Sequence, residues 1–194
     1  TMTSTLKVDQ IQLADGSTPT VNDLGVKVGN IVTSYYETPI VTGATSYTAS
    51  GWEFSITPQK STSKIVVDIN IDIAADRGSY GVYRVYRKIG SGSFVEVSPR
   101  STQQLNDARQ NAFLHTSYHV NNDANEDLVS KIASGCFTDE PATTQQVTYA
   151  LYICSRVSTS NQAFLNRVQR STTGSSVTYG SFGVSSAKLT ELLV

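Results

Sequence analysis

The residue types that carry chemistry are few in this sequence, and their spacing narrows what they can do. Asp123, Asn125 and Asp127 put oxygen ligands at alternate positions, as a calcium loop does. A helix-loop-helix site would then need glycine at its sixth position and glutamate at its twelfth, where Leu128 and Ser134 stand. That motif fails, so the three residues remain a calcium candidate of another type beside the plainer reading of a solvated acidic loop. His115 and His119, four apart, share one face of a helix or strand but have no cysteine or Glu-x-x partner at ligand spacing. Cys136 and Cys154 lack the Cys-x-x-Cys spacing of zinc or redox sites and are expected to be two buried free thiols. Asp68 and Asp72 lie about 13 Å apart if the stretch is extended, too far for a retaining carboxylate pair. A solvated or interfacial sheet face accounts for them.

Neither a Gly-x-Ser-x-Gly elbow nor a Gly-x-x-x-x-Gly-Lys phosphate loop occurs. Gly90-Ser91-Gly92 is half a dinucleotide motif, but it joins two strand-like runs, where a hairpin explains it. Arg84, Arg87 and Lys88 form a small basic group that reads as a solvated strand face, with contact to an anionic glycan as the alternative. No catalytic residue and no cofactor are expected, and the chain does not read as an enzyme.

The elements that would position these residues are strands. Ile65, Val67, Ile69, Ile71 and Ile73 alternate with Val66, Asp68, Asn70, Asp72 and Ala74, the period of two that gives a strand one apolar face. Trp52, Phe54 and Ile56 repeat the pattern, as do Val147, Tyr149, Leu151 and Ile153. Val82 to Ile89 and Phe94 to Val97 flank the glycine-serine turn, and a last strand runs from Val184 to Leu193. Ser101 to Leu114 has too few apolar positions to dock as a helix, so 98–126 reads as a long excursion with at most a helical turn. Many short strands between small polar turns predict an all-β sandwich, jelly roll or barrel.

Composition sets the class. The 194 residues are enough for one domain that buries its own core without a metal or disulfide staple. Only 16% are charged and the net charge is -1, which argues against nucleic acid, since phosphate binding needs a clustered basic surface. About a quarter of the chain is serine plus threonine, far above ordinary usage. No apolar run is long enough to span a bilayer, and the first seven residues do not read as a signal peptide. Ten tyrosines against six phenylalanines suit interfaces and sugar stacking, although tyrosine also simply favours strands.

The first 26 residues differ in character. Leu6, Val8, Ile11, Leu13, Val21 and Leu24 are spaced along a segment too small to bury them, so they need a partner surface. The chain therefore divides into a short extended N-terminal segment, 1–26, and a sandwich domain, 27–194. For surface contacts, Arg77, Tyr80, Tyr118, Asn121 and Asn122 offer aromatic, amide and guanidinium groups on predicted loops.

Two stretches carry a family likeness. Ser4-Thr5-Leu6-Lys7-Val8-Asp9-Gln10-Ile11, with Gly16, resembles the opening of virion fibre proteins from tailed phages of marine bacteria and cyanobacteria. Ser34 to Val41, Trp52, Ile56-Thr57-Pro58, Ser63-Lys64-Ile65, Asp139-Glu140-Pro141 and Leu189-Thr190-Glu191 are similar to the head domain that ends many such proteins. That head resembles the antiparallel jelly roll of the tumour-necrosis-factor and complement-globular-head superfamily. The resemblance implies a homotrimeric tail fibre or appendage head on a virion, assembled in the host cytoplasm. It implies that the segment up to Val26 anchors the chain to other virion proteins while the head contacts host-surface glycan or protein. It implies no catalytic residue, in keeping with a composition that argues against a nucleic acid partner and membrane insertion. A capsid decoration or cement protein is the alternative, and a polysaccharide depolymerase is a third reading. The stretch 98–126 is longer than such a head would lead one to expect.

Overall fold

A computed structural model describes residues 27–75, 80–100, 112–117, 131–155, 162–167 and 182–194. Eleven strands occur among them, and none of the described residues is helical. The strands are β1 (Lys27–Tyr36), β2 (Ile40–Thr42), β3 (Thr48–Ile56), β4 (Lys64–Ala75), β5 (Tyr80–Ile89) and β6 (Val95–Glu96). They continue as β7 (Leu114–Ser117), β8 (Lys131–Asp139), β9 (Val147–Ser155), β10 (Ala163–Leu165) and β11 (Ser185–Leu193).

All pairings are antiparallel, and the register fixes two sheets. β11 runs beside β4 from Lys64 to Asn70 and β10 beside it from Ile73 to Ala75, so the two follow one another along one edge of β4. β8 pairs with β4 across 65–73 and must therefore occupy the opposite edge. With β1 outside β11 and β2 outside β10, this is sheet A. Sheet B runs β3-β9-β5, with β6 and β7 sharing the far edge of β5.

The two sheets pack face to face as a β-sandwich because alternation aims one side of every long strand at the other sheet. Ile65, Val67, Ile69, Ile71 and Ile73 of β4 meet Trp52, Phe54, Val85, Tyr149, Leu151 and Ile153 in one core. The strand expectations for β3, β4, β5, β9 and β11 hold, with ends shifted by a residue or two except that β3 begins at Thr48, four residues before Trp52. β7 covers Leu114–Ser117, so part of the anticipated 98–126 excursion is a strand, while 101–111 and 118–126 lie outside the described residues. The glycine-serine turn is also as expected: Gly90 sits at φ +52°, and Gly92 N–H donates to Ile89 O at 2.9 Å.

Three polar devices lock the sandwich. Arg87 of β5 points inward beside Tyr149 and grips Asp139 of β8 with both carboxylate oxygens, at 2.6 and 2.8 Å. Tyr149 Oη donates to the same carboxylate at 2.8 Å, so strands of both sheets are tied at one end of the core. Asn166, buried at φ +56°, donates from Nδ2 to Tyr36 O at 2.7 Å and accepts from Ser185 Oγ at 2.5 Å. Asparagine tolerates that left-handed backbone better than most residues, so this corner joins β1, β10 and β11 at small cost.

Glu191 of β11 is the third device and is fully buried. Its carboxylate accepts from Asn30 N (3.0 Å), Gln59 N (2.6 Å) and Ser63 Oγ (2.7 Å), pinning β1 and the β3–β4 turn. Burial pushes the Glu191 pKa up, but the donated hydrogen bonds outweigh it and hold the carboxyl below the ordinary glutamate value. Because the folded pKa is the lower one, this stabilisation is complete above the unfolded-state pKa. It is lost as pH falls through the folded value. Thermal melts of wild type and Glu191→Gln should therefore differ by a constant gap at neutral pH that closes below about pH 4. A gap unchanged between pH 6 and pH 3 contradicts this role.

Candidate interaction faces

The inward sides of both sheets are consumed by the core, so any partner must meet the outward sides, the edges or the loops. Sheet A presents alternate residues of β1, β11, β4 and β8. Register places Ile31 beside Thr190, Thr33 beside Lys188 and Tyr35 beside Ser186, and those three β11 residues beside Val66, Asp68 and Asn70. On the far side of β4, Thr138, Cys136, Ser134 and Ile132 complete the rows.

This outward face has a polar centre and exposed hydrophobic side chains on its outer strands. Tyr35 is 72% exposed, Ile132 67%, Ile31 56% and Val28 55%. All four project from the outer strands β1 and β8, flanking a polar centre in which Lys188 lies beside Asp68. Asp68 and Asp72 lie on the outward sheet face expected for them. Asp68 is half-buried and Asp72 buried, so of the solvated and interfacial alternatives the solvated one does not describe Asp72. Cys136 lies on this face and is exposed, whereas Cys154 is buried, and neither is in a disulfide. The expectation of two buried thiols therefore holds for Cys154 alone.

Sheet B presents a different surface. Tyr86 and Tyr152 stack with centroids 4.0 Å apart, and Phe94 meets Tyr152 edge-on at 6.0 Å. Lys88 Nζ stands 4.6 Å over the Phe94 ring and 3.0 Å from Glu53. Arg84, buried, lies 4.1 Å over Tyr47 and 3.0 Å from Glu96. The basic group thus splits by strand parity. Arg84 and Lys88 face outward, each against a carboxylate, while Arg87 is committed to Asp139 between the sheets. It is not one solvated patch.

The remaining sequence-derived candidates fall elsewhere. Tyr80 opens β5 opposite Ser117 of β7. Arg77, Tyr118, Asn121 and Asn122 lie outside the described residues, as do the calcium candidates Asp123, Asn125 and Asp127. Leu6, Val8, Ile11, Leu13, Val21 and Leu24 of the N-terminal segment lie outside them too. Ser134, the twelfth position of the failed calcium motif, sits within β8 and donates to Asn70 Oδ1. His115 is exposed on β7, and His119 lies outside the described residues. Among the described residues no cluster of histidine, cysteine and carboxylate groups forms a metal site, and no helix is long and apolar enough to cross a membrane.

Sequence reasoning missed the two faces because both depend on which strands are neighbours. Tyr86 and Tyr152 are 66 positions apart, and only the register of β5 against β9 makes them diagonal partners. No protein-family model matches the chain, and no curated protein matches it in sequence.

Proposed function

We propose that this protein is a non-enzymatic, homotrimeric virion appendage head that attaches a phage to its host surface, with residues 1–26 as its anchor to the particle. The observation that carries the reading is the set of exposed hydrophobic side chains on the outer strands of sheet A's outward face. Four strands about 4.8 Å apart and about nine residues long give a face of roughly 30 by 19 Å. That is the same order as the ~800 Å² each partner contributes to a stable interface. Exposed apolar residues at Val28, Ile31, Tyr35 and Ile132 are a liability on a free monomer and an asset on a self-associating one.

The order β1-β11-β4-β8 against β3-β9-β5 with β6 and β7 supports reading the sandwich as a jelly roll. The threefold symmetry and the virion setting come from the resemblance of the N-terminal and head motifs. Three heads on one particle would then raise avidity for the host without a tight individual site.

Deleting residues 1–26 should leave a head that folds and assembles but no longer joins particles. A truncated chain that still decorates particles contradicts the anchor. The cement alternative is separated by the phenotype of particles lacking the protein. Intact, non-adsorbing particles support attachment, whereas leaky heads support cement. Release of reducing ends from host polysaccharide by the purified chain would support the depolymerase instead.

A further inference from the structure

The outward face of sheet B carries three aromatic rings that the core does not need. Tyr86, Tyr152 and Phe94 are each half-buried and hold one another by stacking and edge contact, so their orientation is fixed before any ligand arrives. Ala150 lies opposite Tyr86 on β9 and beside Glu53 on β3, so a small residue lies between the rings and that carboxylate. Lys88 of β5 reaches across to Glu53 of β3, placing an ammonium and a carboxylate beside the rings.

Charge decides the ligand class. The outward cations Lys88 and Arg84 each face a carboxylate at 3.0 Å, and Arg100 shares Glu96 at 3.9 Å. The cations bordering the rings are thus already engaged and the Lys88–Glu53 pair beside them is neutral, a poor match for a phosphate, sulfate or sialic acid. It offers apolar ring surface bordered by hydrogen-bonding groups of both kinds. A pyranose has the complementary form, with C–H groups on one face and hydroxyls around its rim. We infer that the Tyr86–Tyr152–Phe94 platform, with Lys88 and Glu53 at its border, is a binding site for neutral oligosaccharide. This deepens the attachment reading by naming its ligand class and rests on that reading only for the biological setting. The site itself belongs to one chain and to the sheet opposite the proposed interface.

The test uses the purified full chain and neutral oligosaccharides of glucose, galactose, mannose and N-acetylglucosamine, with sialylated and sulfated glycans as the contrasting set. Saturation-transfer NMR and calorimetric titration should detect saturable binding to at least one neutral sugar. Tyr152→Ala and Phe94→Ala should each weaken it tenfold or more. Glu53→Ala, at an exposed position outside the core, should weaken it severalfold without loss of fold. Binding to none of the neutral sugars, a preference for the anionic set, or neutral-sugar binding unaltered in all three variants would each overturn the inference. A chain that binds neutral sugar through Tyr152 yet stays monomeric removes the assembly reading and leaves this site standing. An assembling chain that binds no neutral sugar does the reverse.

Discussion

Asp139→Ala should lower the stability of the fold by about 3–5 kcal/mol, the cost of removing one partner from a buried ion pair. Arg87 Nη1 meets both oxygens of Asp139, and Tyr149 donates to the same group, so one truncation strands a guanidinium and a phenol between the sheets. Neither side chain has easy recourse to water, since Arg87 is 18% and Asp139 10% exposed. For a domain of this size the loss is a fall of roughly 10 °C in melting temperature. Replacing both partners with apolar residues, Arg87→Met with Asp139→Leu, should recover part of it, because no buried charge is then left alone although the Tyr149 hydroxyl still lacks its acceptor. A single variant that melts within 2 °C of wild type would show that the pair is not structural.

Ile31→Asp combined with Tyr35→Asp should convert the assembled protein to monomer while leaving each protomer folded. Both side chains are largely exposed in the protomer, so their replacement costs the fold little. In the proposed assembly each would bury a large apolar group, worth about 1.5–3 kcal/mol, and the new carboxylates would be desolvated without partners. Two such changes, repeated in every copy, weaken association by well over a hundredfold. Light scattering across a concentration series checks this. A double variant that assembles like wild type places the interface elsewhere, and one that unfolds is recognised by its far-UV spectrum.

The strands that the sequence displays openly are those with one apolar and one polar side. β4 is the clearest, because its isoleucines and Val67 turn inward and lose essentially all exposure, while Val66 and the polar residues face outward. β1 is obscured because Val28, Ile31 and Tyr35 face outward while Ser34 faces in, donating or accepting at the interior; there its Oγ accepts from Trp52 Nε1 at 3.1 Å. The blurring has the same cause as the proposed interface, since a strand apolar on both sides loses its period of two. β8 is obscured for another reason. Its inward positions are Ala133, Gly135 and Phe137, and a Cβ at Gly135 would come within 2.7 Å of the Phe113 ring, so packing demands the smallest residue there. The ion pair of Arg87 was hidden because a basic residue next to Lys88 reads as surface until its register with Tyr149 is known.

Sedimentation of the wild-type protein tests the central claim most directly. At micromolar concentration it should migrate as a species of three times 21.0 kDa, with the thiol of Cys136 protected from reagent and exposed again on dilution. A single 21.0 kDa species at those concentrations, with Cys136 freely reactive throughout, would contradict the account.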